Sequence, residues 1–313
     1  MRGPFTRRLF ELNMKDSEKW QGVVVPMVTP VTAEGRLDEA VVDTMVGFLV
    51  EHGVDGLFVL GTTGEGASVP REDAVRLVER VVSCAAGRVP VYAGLGELPD
   101  PQGGDGNAYL EKGASVLVAR PPTRLPAGQL PRWTESLLSS LDGPVMLYNI
   151  PTLNGVSVPL ELLESWAAHP RLVGIKDSEN DAARLRRLLE RLGGRPDFSV
   201  FVGVGALMAE GLRLGADGIV PSVANLIPDV CVAMWRAARR GDWAAVETCA
   251  RRALEVASLY QNGRTLGESL AALKAALAVR GLCGHWVLPP LLPMSPAEIE
   301  GVRSTMQTLQ LLA

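Results

Sequence analysis

The sequence is poor in the residues that build metal centres and disulfide frameworks. It has three histidines (His52, His169, His285) and four cysteines (Cys84, Cys231, Cys249, Cys283) in 313 residues. The cysteines are widely spaced and form no CxxC pair, so neither a zinc site nor a set of disulfides is expected, and a reducing cytoplasm suits them. There is also no excess of charge of one sign. The 31 basic and 35 acidic side chains leave a net charge of −4, which gives no reason to expect nucleic acid or an anionic membrane as a partner. Long apolar runs are missing as well. The longest uncharged stretch, Gly143 to Leu160, is broken by Pro144, Pro151 and Pro159 and carries Asn149 and Asn154, a poor membrane helix. The N-terminal residues have scattered charges and no apolar h-region, so a signal peptide is not evident; they read as an arm, with Met14 as an alternative initiator.

What remains is an apolar fraction of 47%, ample for a sizeable core. From Gly22 onward, short β-branched runs alternate with amphipathic stretches of helical length. The strand candidates are Gly22–Val25, Gly56–Leu60, Val89–Ala93, Ser115–Val118, Val145–Tyr148, Leu172–Lys176, Ser199–Val202 and Gly218–Val220. Helix candidates include Asp38–His52, Arg71–Ala86, Gln129–Leu141, Asp181–Leu192 and Leu207–Leu214. Continuous Val/Ile/Leu runs suit parallel strands buried on both faces. Eight such units predict an α/β fold, a closed (β/α)8 TIM barrel, in preference to an open doubly wound sheet. After the eighth strand only helical patterns follow, at Pro228–Arg240, Trp243–Leu259, Leu266–Val279 and Pro296–Leu312. The expected organisation is an N-terminal arm over 1–19, the barrel over 20–240 and a C-terminal helical extension over 241–313. One unit is weak: Leu98–Gly113 is Gly-rich and reads as a shortened surface helix.

In such a barrel the functional groups sit at the C-terminal ends of the strands. The chain has five lysines (Lys15, Lys19, Lys112, Lys176, Lys274), and only Lys176 closes an apolar strand, Leu172-Val173-Gly174-Ile175-Lys176. Burying an ammonium is costly unless it is paired, and a partly desolvated, deprotonated amine is what Schiff-base formation requires. The alternatives are a lysine snorkelling from a strand end, or one ion-paired with Asp177 or Glu179. Tyr148 ends the preceding strand, so its phenol is expected beside Lys176, where it can both give and take a proton; a half-buried core tyrosine is the competing view. The turn Gly61-Thr62-Thr63-Gly64 offers N–H groups and hydroxyls to a small carboxylate. Gly203-Val204-Gly205 provides either a phosphate site or backbone room beside a ligand, the second being preferred. Arg120 and Arg124 flank Pro121-Pro122 after the fourth strand, either facing an anionic substrate group or solvated.

Taken together, Pro26-Met27-Val28-Thr29-Pro30, GTTGE at 61–65, YNIP at 148–151, GIKDS at 174–178, GADGIVPSVAN at 215–225 and PPLLPM at 289–294 resemble the pyruvate-dependent class I aldolase family that includes dihydrodipicolinate synthase and N-acetylneuraminate lyase. The resemblance implies a carbon–carbon lyase in which Lys176 forms the imine with pyruvate or a 2-keto acid. It implies Tyr148 as proton relay, Thr62 touching the tyrosine hydroxyl, and Thr62 with Thr63 binding the pyruvate carboxylate. Gly61, Gly203 and Val220 are implied to line the pocket. No metal or organic cofactor is implied, and a homo-oligomer, tetramer or dimer, is expected. Two departures bear on the substrate. An aromatic pair usual after the fourth strand of the synthases is replaced by Ala119-Arg120-Pro121-Pro122-Thr123, and the arginine usual two residues after the YNxP proline is Leu153. Together they weaken the synthase assignment, and Leu153 brings the sequence closer to neuraminate lyases and sugar-acid aldolases, so a 2-keto-3-deoxy sugar acid or related hydroxy-keto acid is the expected substrate. Dihydrodipicolinate synthase, a 2-keto acid dehydratase using the same imine, and a catalytically silent keto-acid sensor are the alternatives.

Overall fold

The computed structural model describes residues 19–96 and 104–312. Eight parallel strands close into a barrel in sequence order: β1 (Gly22–Pro26), β2 (Gly56–Val59), β3 (Val91–Gly94), β4 (Val116–Ala119), β5 (Val145–Asn149), β6 (Leu172–Asp177), β7 (Ser199–Val202) and β8 (Gly218–Ile219). The barrel closes where Gly22 and Val23 of β1 pair with Gly218 and Ile219 of β8. All eight agree with the strands expected from the apolar runs to within a residue or two. The expected arm lies outside the described residues, apart from Lys19.

Because side chains alternate across a strand, each strand feeds two cores. The outward set, including Leu57, Val59, Leu117, Leu147 and Ile175, packs against the surrounding helices. The inward set, Val24, Phe58, Tyr92, Val116, Val118, Met146, Tyr148, Phe201 and Val220, fills the barrel itself. Large aromatics fit inside because some inward positions are glycine. A Cβ on Gly218 would lie 2.4 Å from the Phe201 ring, and one on Gly56 would lie 3.0 Å from the Tyr92 ring. This tight interior forms the floor below the mouth.

The connecting helices are α1 (Glu39–Glu51), α2 (Arg71–Ala85), α3 (Gly104–Glu111), α4 (Leu130–Ser140), α5 (Pro151–Asn154), α6 (Leu160–Trp166), α7 (Ala182–Leu192), α8 (Met208–Arg213) and α9 (Pro228–Arg239). Two start at aspartates that accept a backbone N–H, Asp38 from Val41 at 3.2 Å and Asp181 from Arg184 at 3.0 Å, which satisfies otherwise orphaned donors. Three longer helices follow, α10 (Trp243–Gln261), α11 (Leu266–Val279) and α12 (Pro296–Thr308). α11 and α12 each open with a capping box, at Thr265/Glu268 and Ser295/Glu298. The shortened unit after β3 is helical over its described part, α3. α6 was absent from the helices read in the sequence: seven residues behind Pro159 give too few turns for periodicity to show. Among the described residues no helix is long and apolar enough to cross a membrane.

Candidate active site

Lys176 is the inward-facing residue at the top of β6, in register with Tyr148 on β5 and Phe201 on β7. Its Nζ lies 3.8 Å from the centroid of the Tyr148 ring and 4.9 Å from that of Phe58. Lys176 is 5% exposed and Tyr148 6%. Of the two ordinary explanations for a strand-end lysine, neither holds. The side chain does not snorkel into solvent, and the neighbouring acids are turned away from it. Strand alternation sends Asp177 to the other face, where its Oδ2 accepts from Asn149 Nδ2 at 2.9 Å and from Arg184 Nε at 3.2 Å. Glu179 Oε2 is held by Asn149 Nδ2 at 3.0 Å, by Ser157 Oγ at 2.6 Å and by Arg184 Nε at 3.0 Å. Burial pushes the Asp177 carboxyl above its ordinary value, against the opposing pull of Arg184, Asn149 and the Glu179 N–H. This network ties the ends of β5 and β6 together and keeps both acids occupied away from the lysine.

Tyr148 is the second member of the site. Burial, the largest influence, opposes ionisation of its phenol, but the charge of Lys176 and hydrogen bonds with Thr62, Lys176 and Ser178 outweigh it, so the group titrates below its usual value near 10. Thr62 reaches it from the turn after β2. That turn is folded tightly on itself: Glu65 N–H donates to Thr62 O at 3.1 Å, Gly66 N–H to Gly61 O at 3.1 Å, and Thr29 Oγ1 to Gly64 O at 2.6 Å. A Cβ on Gly61 would meet the Phe58 ring at 2.8 Å, so the turn sits directly on the aromatic that underlies the lysine. Thr63 is half-buried beside Thr62 in the same turn.

Ser178, the last residue of GIKDS, joins the site although nothing in the sequence alone marks it. It follows Lys176 by two residues, so strand alternation returns its side chain to the same face, and its hydroxyl bonds with that of Tyr148. Gly203 explains itself by contact: a Cβ there would stand 2.1 Å from Ser178 Oγ and 3.1 Å from Lys176 Cε. Val220 lines the cavity at the lysine together with Phe58, Tyr92, Val118, Met146 and Phe201.

Lys176, Tyr148, Thr62, Gly203 and Val220 thus converge, with Gly61 and Thr63 in the adjoining turn. The cavity's lining includes neither Leu153 nor Arg120; it also omits Tyr148, Thr62 and Gly203, but these join the site through their approach to Lys176, Tyr148 and Ser178. Leu153, 36% exposed, lies on α5. Asn154 of α5 donates to Pro121 O at 2.8 Å and accepts at its carbonyl from Arg124 N at 2.8 Å, so the two residues sit on joined rim loops above the pocket. Lys274, assigned no role from the sequence, is buried more deeply than Lys176. Its side chain is 1% exposed and ion-paired with Glu65 at 2.5 Å. Among the described residues no group of three or more His, Cys, Asp or Glu could hold a metal ion.

A closed (β/α)8 barrel with a buried lysine amine and a tyrosine hydroxyl together at its mouth is an arrangement suited to imine chemistry on a carbonyl compound. The chain belongs to the dihydrodipicolinate synthetase family, whose model matches residues 19–309. It is 30% identical over 284 residues, 89% of this chain and 93% of the other, to the probable 2-dehydro-3-deoxy-D-pentonate aldolase YjhH of Escherichia coli K12. It is 32% identical over 295 residues, 92% of this chain and 96% of the other, to the 4-hydroxy-tetrahydrodipicolinate synthase of Sorangium cellulosum. Among solved structures it superposes with a TM-score of 0.86 and 28% identity on YagE, a prophage protein of that family from E. coli K12 in complex with pyruvate, over 94% of this chain and 99% of that one.

Proposed function

We propose that the chain is a Schiff-base-forming class I aldolase that makes or breaks a carbon–carbon bond to pyruvate, acting on a 2-keto-3-deoxy sugar acid or a related hydroxy-keto acid. The observation that carries the proposal is Lys176: 5% exposed, its amine over the Tyr148 ring at 3.8 Å, with both nearby carboxylates held by Arg184. Its nitrogen attacks the ketone carbon, the carbonyl oxygen leaves as water, and a C=N bond replaces C=O. In the cleavage direction Tyr148 takes the proton from the hydroxyl on the carbon being released. The C–C electrons then move toward the protonated imine, which acts as their sink. The resulting enamine is reprotonated and hydrolysed, freeing pyruvate and the amine. The Thr62–Thr63 turn holds the carboxylate so that the carbonyl stays within reach of the amine.

Borohydride reduction in the presence of pyruvate, followed by peptide mass analysis, tests this reading with Lys176→Ala as control. A pyruvate-dependent reduced adduct on Lys176 is the expected result, and its absence defeats the assignment. The apolar Leu153 on the rim, and the named aldolases among the relatives, favour sugar-acid substrates. The similarity to the Sorangium synthase supports a second reading, condensation of pyruvate with aspartate semialdehyde. Pyruvate release from a panel of keto acids, run beside that condensation, separates the two; robust condensation overturns the sugar-acid preference. We further propose a cytoplasmic homo-oligomer, tetramer or dimer. Free cysteines at all four positions suit that compartment, and light scattering reads the assembly.

A further inference from the structure

Glu65 closes the GTTGE turn yet points away from the pocket. Its Oε1 is 2.5 Å from Lys274 Nζ on α11, both side chains being 1% exposed. Its Oε2 accepts the Leu288 N–H at 2.6 Å, and Lys274 Nζ donates to Trp286 O at 2.8 Å. These four groups join the turn after β2 to a helix and a segment more than 200 residues later in the chain. Removing two charges from water is expensive, and an apolar pair of similar volume often serves stability as well or better. The pair therefore calls for a reason other than stability. The turn supplies one. Leu60 and Glu65 both adopt the left-handed region, with φ of 59° and 52°, and a Cβ on Gly66 would fall 1.9 Å from Leu60 O. Such backbone persists only where its surroundings hold it. Thr29 Oγ1 anchors the turn at Gly64 O, and the Glu65 side chain anchors it at the next residue to a different part of the fold.

We infer that Glu65 and Lys274 are positioning residues. Their buried ion pair lets the C-terminal helices set the conformation of the Thr62–Thr63 turn, and so the grip of that turn on the substrate carboxylate. The inference rests on the proposed imine chemistry. It separates carboxylate binding from imine formation: Tyr148 and Lys176 are carried by β5 and β6, whose backbones the pair does not touch, so losing the pair loosens the turn, and with it the Thr62 bond to Tyr148, while the strand-borne amine stays in place.

The test compares the full-length protein with a Glu65→Gln/Lys274→Met variant, which removes both charges, and with Glu65→Gln alone. Two readouts are taken: the pyruvate concentration that half-saturates borohydride labelling of Lys176, and hydrogen exchange of peptides covering 61–66. In the folded double variant half-saturation is expected to rise by about 10- to 100-fold, with little change in the labelling reached at saturation. Exchange in 61–66 speeds up while that of β5 and β6 is unchanged. Half-saturation and exchange both equal to the unmodified protein overturn the inference, as does a loss of maximal labelling at unchanged half-saturation. Should the unmodified protein fail to be labelled, the imine reading falls, and the exchange readout alone judges the coupling, unchanged exchange refuting it. If the double variant does not fold, the single Glu65→Gln variant carries both measurements.

Discussion

Replacing Gly203 by alanine puts a methyl group into a crowded corner of the site, between Ser178 and Lys176. The new Cβ would stand 2.1 Å from Ser178 Oγ and 3.1 Å from Lys176 Cε, against an ordinary contact of about 3.5 Å. Gly203 cannot back away, because its N–H donates to Asp177 O at 2.7 Å and locks it to β6. The serine hydroxyl must therefore move by about 1.4 Å and the lysine by about 0.4 Å to restore ordinary contact. Ser178 can move by rotating about χ1, which forfeits its hydrogen bond with Tyr148. Lys176 is caught between Gly203 and the Tyr148 ring and is displaced from its attack position. Overpacking of this kind costs about 1–3 kcal/mol, which the fold survives, whereas misplacing a reacting group by a fraction of an ångström lowers kcat/KM by about 10- to 100-fold. Pyruvate release from the best keto acid, measured beside the thermal midpoint, reads both quantities. A Ser178→Ala/Gly203→Ala variant removes the worst clash and should regain stability while recovering activity only in part, since Tyr148 still lacks the serine hydroxyl. A folded Gly203→Ala enzyme with unchanged kcat/KM would refute the packing account of the site.

Two further outcomes follow from the electrostatics. The protein has four tyrosines; burial pushes Tyr92, Tyr109 (to about 12) and Tyr260 upward, whereas Tyr148 is drawn down despite its burial. Absorbance titration of the phenols should show one of the four ionising below the ordinary tyrosine range, and Lys176→Met should move that one upward as burial takes over; a low-pH step that survives the substitution would exclude Tyr148 as its source. Arg184→Met removes the guanidinium 3.2 Å from the buried Asp177 carboxylate and should cost about 3–5 kcal/mol near neutral pH. Burial already holds the Asp177 carboxyl above its unfolded value of 3.8, so the stability linked to it is complete below that value and lost as pH rises through the folded value. Without Arg184 the folded value climbs further, and the deficit should grow from acid toward neutral pH. Denaturant unfolding across that range checks the trend; a deficit independent of pH would rule the mechanism out.

Much of the architecture could be read directly from the chain, because parallel strands buried on both faces leave continuous Val/Ile/Leu runs that need no long-range information. The strand ends were legible for the same reason: a charged Lys176 closing an apolar run stands out, and β5 precedes β6, so Tyr148 had to be near it. α6 escaped notice because seven residues cannot display a helical period. Lys274 escaped for a different reason. It is the single charged residue in the stretch Leu270–Val279, where a lysine can mark either an exposed edge or a buried pair, and only the docking of α11 against the turn after β2 shows which.

The amino-acid order by itself thus determined the barrel, its eight strands and the lysine at the mouth, since each depends on local pattern and on neighbours along the sheet. Tertiary structure alone decided where the charges go. Alternation about β6 turns Asp177 toward Arg184 and returns Ser178 to Tyr148, Gly203 makes the room that Lys176 occupies, and Glu65 finds Lys274 across 209 positions of chain. The physical reason is that the state of a titratable group is set by what surrounds it in space, whereas the periodicity of a sequence reports only which face of its own element a residue occupies.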